Sequence, residues 1–200
     1  MFQFVRLSAV IGIVFFACLS FWPALDEEHS GPANVIDADT IEVGGEKHRV
    51  YGVDAVEIDQ RCRRRDSVTW PCGRKAAAAL TKFLEGRKVS CEVWQGREAV
   101  ARRVSDRSGG SIAPHERPEP KRGAGRNAHG RFVSVCYAGG DDISSWVAKN
   151  GWAVADRDAN RLYNYTSDEG TARFLRRGIW DGTFDPPAEW RRRQQVGGHT

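Results

Sequence analysis

The chain has 200 residues, 40% of them hydrophobic and 28% charged, with seven tryptophans. That length fits one domain plus a short targeting segment, and the composition excludes a wholly disordered chain. A formal net charge of +4 permits a nucleic-acid partner without implying one.

The first 25 residues differ from the rest. Arg6 is the only charged residue before Asp26, and between them runs LSAVIGIVFFACLSFWPAL, 19 residues dominated by apolar side chains. A short positive region followed by an apolar run is the pattern of an export signal. The run also approaches the ~20 residues that a membrane span needs, so residues 1–25 read as a signal peptide or a membrane anchor through residues 7–25. In either case the rest of the chain is expected outside the cytoplasm, in the periplasm or the extracellular space.

Cysteine usage agrees with export. Cys18 lies inside the apolar run, which leaves Cys62, Cys72, Cys91 and Cys136. An even number in an exported chain suggests disulfides, with three connectivities open. The pairing Cys62–Cys72 with Cys91–Cys136 is preferred. The first bond staples a short loop, and the second joins two predicted strands, VSCEVW and RFVSVCY. Zinc is the rival use of these residues, but there is no CxxC and the histidine spacing is poor.

Two alternating segments follow, NVIDADTIEVGG and EKHRVYGVDAV, with Gly44-Gly45 as a hairpin turn between them. The Arg-rich RCRRRDSVTWPCG reads as a solvated loop. GRKAAAALTKFLEG has helical spacing, with Gly86 as its stop. Residues 87–95 read as a strand. Residues 96–130 hold five glycines after Gly96 and three prolines, with almost no apolar periodicity, the pattern of a long flexible insertion over 96–128. Nine Lys/Arg against four Asp/Glu between Arg97 and Arg131 give that stretch a net charge of +5. A strand is expected at 131–138, then a helix capped by Asp141 or Asp142 and ended by Gly151, then a last helix from Ser167 to Arg177. Residues 192–200 read as a tail. Early strands and late helices favour an α+β fold with a small antiparallel barrel.

The chemistry-bearing residues cluster in the two early segments. Asp37 and Asp39, two apart, are expected on one face of a strand. Arg49, Asp54 and Glu57 follow within nine residues. Several carboxylates beside an arginine suit a hard divalent cation such as Ca²⁺ or Mg²⁺. Cation and guanidinium together can stabilise the charge that develops in phosphoryl transfer, and a remaining carboxylate can take a proton from water. Composition alone does not establish such a site, because acidic residues near strand ends are commonly solvated turn residues.

VIDADTIEV, HRVYGVDAVE, HGRFVSVCY, WVAKNGWAVA and ARFLRRGIW occur in this order. Together they resemble the staphylococcal nuclease (thermonuclease) family. CGRKAAAAL and EWRRR are similar to the helix start and ending of its exported bacterial branch. The resemblance spans residues 34–191 apart from the 96–128 stretch. It implies a five-stranded OB-type barrel with about three packed helices. It also implies a calcium-dependent endonuclease, acting as a monomer on phosphodiester bonds of DNA or RNA. It assigns Asp39 and Asp54 as metal carboxylates, with the backbone carbonyl of Ala55 as a third ligand. Glu57 falls on the carboxylate that activates or orients water, and Arg49 and Arg131 on the two arginines that hold the scissile phosphate. His129 stands where the family has a tyrosine beside the phosphate, and its ring can donate a hydrogen bond there.

Asp37 reads as a turn or hydrogen-bonding residue rather than a ligand. His48 and His129 read as surface positions, and Trp146 and Trp152 as core. Departures from the family pattern bear on the site, among them Asp156, which stands near where the family often has an aromatic beside the nucleotide. Ala38 replaces a glycine, which would matter if the position needed positive φ, and Val56 replaces a proline. A catalytically weakened OB-type nucleic-acid-binding module is therefore the alternative function, and an envelope protein with a merely solvated acidic cluster is a third.

Overall fold

The computed structural model describes residues 29–94, 127, 129–157 and 164–197. The expected signal or anchor, and all of the 96–128 insertion but Asn127, lie outside the described residues. Among the described residues no helix is long and apolar enough to cross a membrane.

The fold is α+β, as expected. Short strands β1 (His29–Gly31), β2 (Ala33–Asp37), β3 (Thr40–Val43), β4 (Glu46–Val50) and β5 (Val53–Ala55) come first. Next come β6 (Cys62–Arg64), β7 (Thr69–Trp70), helix α1 (Cys72–Leu84), β8 (Val89–Val93) and β9 (Phe132–Ala138). The C-terminal part holds β10 (Asp141–Asp142), α2 (Ile143–Lys149), β11 (Ala153–Ala155), α3 (Tyr165–Phe174), a 3-10 turn at Gly178–Asp181, β12 (Gly182–Thr183) and α4 (Pro187–Gly197).

The main sheet runs β1-β8-β9-β4-β3-β2, with β10 added to β9. All its pairings are antiparallel except β4 with β9. β1 and β2 occupy opposite ends of this path, yet only Pro32 separates them in sequence. Both edges of the sheet thus come from one stretch of chain, and the sheet must curl. Its concave side holds Ile41, Val43, Val50, Val89 and Cys136, all essentially inaccessible to solvent. α1 packs against β2. It buries Cys72, Ala76, Leu80 and Leu84, spaced by four residues so that one face of the helix meets the core. α2 and α3 pack on each other, with Phe83 of α1 stacked on Trp146 of α2 at 4.3 Å and Trp152 edge-on to Trp70. Those two tryptophans are packing residues, as their spacing predicts.

Four expectations need correction. First, VIDADTIEV is two strands, not one: β2 and β3 form their own hairpin, with a register shift between Val35 and Asp37. Asp37 therefore ends β2 while Asp39 sits in the turn, and the two do not share a strand face. Second, His48 is fully buried rather than on the surface. Alternation along β4 turns it inward, where its ring meets the Ser134 hydroxyl at 2.8 Å and the His29 ring at 3.0 Å. Third, part of the RCRRR loop is strand β6, which pairs with β7 and β12. Fourth, the described residues hold four α-helices, because the expected tail is helical to Gly197. Pro187 suits the first helical position, where a missing N–H costs nothing. The last expected helix begins earlier, at Tyr165, behind an Asn164 cap that accepts the Ser167 N–H.

Both expected disulfides are present, Cys62–Cys72 and Cys91–Cys136. The second joins directly opposed residues of β8 and β9. Two disulfides fit a chain that matures outside the reducing cytoplasm. The bridges span 10 and 45 residues of sequence. Chain-entropy arguments then give about 4 kcal/mol of stabilisation for the longer and about 3 kcal/mol for the shorter. Urea unfolding of the Cys91→Ala/Cys136→Ala and Cys62→Ala/Cys72→Ala variants checks this, and the first pair is expected to lose more.

Candidate functional site

The site begins with the turn between β2 and β3. Its backbone is set by a side chain: Asp37 Oδ1 accepts the Asp39 N–H at 3.0 Å, a local Asx turn that needs neither glycine nor proline. Asp37 is thus the hydrogen-bonding residue its position predicts. Ala38 is buried and is not among the non-glycine residues of positive φ, which among the described residues are Ser67 and Arg176. The alanine at the motif glycine position therefore carries no backbone strain.

The turn delivers Asp39 into the fold with its side chain 5% exposed. Each of its oxygens is held. Oδ1 accepts from Arg49 at 2.7 Å and from the Thr40 hydroxyl at 3.0 Å. Oδ2 accepts the Ala55 N–H at 2.9 Å. The Asp39 carbonyl takes the Val50 N–H, so the turn is tied to both β4 and β5.

Arg49 is placed by sheet register, opposite Thr40 on one side and Val133 on the other. Its second terminal nitrogen donates to Asp54 Oδ1 at 2.7 Å. One guanidinium thereby bridges the two carboxylates predicted to hold a cation. Burial opposes the Arg49 charge, but Asp39 and then Asp54 outweigh it and hold the guanidinium further into its protonated range. Asp54 lies in β5, which is paired on one side to β11 through Val154.

Glu57 follows β5 in a loop whose shape depends on the fully buried Gln60. Gln60 Oε1 accepts the Glu57 N–H, and its Nε2 donates to the Asp185 carbonyl at 2.7 Å. The start of α1 presses on the same loop. A Cβ at Gly73 would fall 1.7 Å from the Glu57 carbonyl oxygen, so only glycine allows this approach. The glycine of CGRKAAAAL is explained by that contact.

Arg131 enters from the segment before β9. Asn127 Oδ1 accepts the N–H groups of His129 and Arg131 and shapes this entry. Arg131 donates to the Thr40 hydroxyl at 2.9 Å, next to Asp39. Its Nε is buried with no hydrogen-bond partner among the described residues. His129 is exposed in the turn before Arg131, open for a ligand contact rather than packed.

The structure thus brings Asp39, Arg49, Asp54, Ala55 and Arg131 together, with Glu57 at the edge. Of these, Arg49 and Asp54 line a cleft of about 540 Å³, together with Tyr51, Asp156 and Arg191 among others. Sequence reasoning missed Arg191. From α4 it donates to both oxygens of Asp54, at 2.9 and 3.0 Å, and to Glu57 at 2.7 Å. The only available signal was EWRRR, and three consecutive arginines do not say which one faces inward.

Carboxylate oxygens are the donor type that hard divalent cations take; here those of Asp39 and Asp54 are engaged by Arg49, Arg191, the Thr40 hydroxyl and the Ala55 N–H. Among the described residues, the one group of three His, Cys, Asp or Glu side chains with ligand atoms close together is His48, Cys91 and Cys136, and both sulfurs are spent in the Cys91–Cys136 disulfide.

No protein-family model matches the chain. It is similar to the protein named "Succinoglycan biosynthesis protein ExoI" of Rhizobium meliloti (strain 1021), 34% identical over 152 residues. The match takes in 75% of this chain and 63% of that protein, so the chain spans less than two thirds of the relative's length.

Burial and then the neighbouring Asp39 charge push the Asp37 carboxyl up to about 7. An acid raised in this way binds more protons folded than unfolded between about pH 4 and 7. Its stabilising contribution is complete below that window and is lost as pH rises through 7. Asp37→Asn keeps the acceptor for the Asp39 N–H and removes the charge. In chelator-treated protein, its stability relative to the wild type is expected to climb from pH 4.5 to pH 8, by at most about 4 kcal/mol. Denaturant titrations across that range check the sign.

Proposed function

We propose that this protein is a metal-dependent nuclease of the staphylococcal nuclease type, exported, and hydrolysing phosphodiester bonds of DNA or RNA. The observation that carries the reading is the carboxylate–arginine cluster of Asp39, Arg49 and Asp54, with Arg131 joined to it through the Thr40 hydroxyl and its buried Nε without a partner among the described residues. A buried donor without an acceptor is costly, and a phosphate oxygen brought against the Arg131 guanidinium would supply one. Arg131 is then a phosphate-binding group waiting for its ligand. The fold supports the same reading. If β1 and β2 are one strand broken at Pro32, the curled sheet reduces to five strands, β1/β2, β3, β4, β9 and β8, in the manner of an OB-type barrel.

In this reading Asp39, Asp54 and the Ala55 carbonyl hold Ca²⁺, with Mg²⁺ as the alternative. The cation supplies electrostatic stabilisation of the phosphate charge and helps to acidify water. Arg49 and Arg131 grip non-bridging phosphate oxygens and stabilise the charge that grows on them in the transition state. Glu57 orients the attacking water and accepts its proton. His129 contributes a hydrogen bond to the phosphate from the exposed turn. The relative's name places that protein in succinoglycan biosynthesis and specifies no chemical step.

The test is cleavage of single-stranded DNA and of RNA with Ca²⁺, then with chelator. Activity is expected only with the cation. Glu57→Gln and Arg131→Ala are each expected to lower kcat by roughly 10²-fold or more, as losses of proton transfer and oxyanion stabilisation do elsewhere. Cleavage untouched by chelator, or by Glu57→Gln combined with Arg131→Ala, contradicts the proposal. Tight, salt-sensitive binding of single strands without cleavage would favour the weakened binding module.

A further inference from the structure

Arg191 stands out because it occupies both oxygens of Asp54, one of the two carboxylates assigned to the cation. Among the described residues Asp54 Oδ2 accepts from Arg191 at 3.0 Å, and Asp54 Oδ1 is shared between Arg191 at 2.9 Å and Arg49 at 2.7 Å. The same guanidinium reaches Glu57 Oε1 at 2.7 Å. It therefore does electrostatically what a bound cation does: one positive centre holds together two carboxylates that would otherwise repel. The hydrogen bonds to Asp54 and then Glu57 outweigh burial and hold Arg191 firmly protonated, so its charge is permanent in any buffer the protein tolerates.

The element that carries Arg191 makes the arrangement exchangeable. α4 is polar almost throughout, PAEWRRRQQVG, and residues 192–196 are exposed. Its buried anchor is Pro187. Its other ion pairs, Arg193 with Asp185 and with Glu189, are short-range and solvent-exposed, a class that contributes little to stability. The Arg191 fork is the strongest polar tie between α4 and the site. At the cluster Arg191 is also the more exposed guanidinium, 39% against 23% for Arg49. Of the two, it is the one that can leave without unmaking the turn at Asp39.

We propose that Arg191 is a built-in stand-in for the divalent cation, bridging Asp54 and Glu57 in the cation-free protein and giving way when the cation binds. This inference rests on the cation site described under the proposed function. A divalent ion brings twice the charge at a shorter oxygen distance, about 2.3–2.6 Å for calcium, and so competes well with a guanidinium. The competition lowers the apparent cation affinity, because part of each binding event goes to breaking the Arg191 fork. It also couples the site to α4: cation binding loosens the helix, and by linkage whatever holds the helix down weakens cation binding.

The experiment is calorimetric titration of CaCl₂ into the chelator-stripped full chain, for the wild type, Arg191→Gln, Arg191→Lys and Arg193→Gln. Arg191→Gln is expected to bind calcium roughly tenfold more tightly than the wild type. Arg191→Lys keeps the charge but not the fork and is expected in between. It also serves if the glutamine variant folds poorly. Arg193→Gln removes a charge from the same helix outside the site and is expected to stay within about twofold of the wild type. Hydrogen exchange supplies an independent readout: calcium is expected to lower amide protection in α4 of the wild type, to the level that Arg191→Gln shows without calcium. Equal or weaker calcium binding by Arg191→Gln, with the wild type still binding, overturns the inference and makes Arg191 a brace. Equal tightening in Arg193→Gln overturns it in favour of a general charge effect. If no variant takes up calcium or magnesium, the cation site itself is wrong and the inference falls with it.

Discussion

The site depends on the double bridge made by Arg49. One guanidinium reaches Asp39 in the β2–β3 turn and Asp54 in β5, each at 2.7 Å. Asp39 is too deeply buried to keep a charge without a partner. Remove the arginine, and an uncompensated carboxylate remains at a place where three strands meet. The remaining contacts of the cluster follow from this fixed point. The Ala55 N–H and the Thr40 hydroxyl satisfy the other demands of Asp39, and Thr40 in turn positions Arg131. Curling the sheet brings residues 39, 49, 54 and 131 within reach of one another although they span four segments of the chain.

Much of this architecture was legible in the sequence. The Gly44-Gly45 turn, α1 with its alanine face, the capped helix after Asp142 and both disulfides appear where turn residues, periodicity and cysteine placement put them. The β2–β3 hairpin was not legible, because the alternation of VIDADTIEV continues straight through it. What bends the chain there is an aspartate side chain bonding its own backbone, and aspartate occurs just as readily in extended surface segments. His48 was misplaced because EKHRV looks solvated. Only the two-residue period of the strand, with Ser134 and His29 as partners, turns that one polar ring inward.

Among the site residues, legibility followed the same division. Asp39, Arg49, Asp54, Glu57 and Arg131 were singled out because short motifs carry them. Gln60 acts through contacts distant in sequence and no local pattern marks it, while CGRKAAAAL and EWRRR contain Gly73 and Arg191 without showing what either residue touches. Gly73 shows the difficulty most plainly: its importance is a missing Cβ facing the Glu57 carbonyl, invisible until the loop and the helix are seen together. The C-terminal helix was hidden for a related reason. Its arginine-rich sequence lacks an apolar face, and the Arg191 ion pairs with Asp54 and Glu57 hold it to the body of the protein.

The most direct test of the account is whether calcium binds the folded protein through Asp39. Thermal unfolding of the full chain is followed with chelator and with saturating Ca²⁺, for the wild type and for Asp39→Asn. A ligand at 100 times its Kd stabilises by about 2.7 kcal/mol, which for a chain of this size corresponds to a rise in Tm of roughly 5–10 °C. The account predicts that rise in the wild type and its loss in Asp39→Asn. No rise in the wild type, or an equal rise in both, would contradict it.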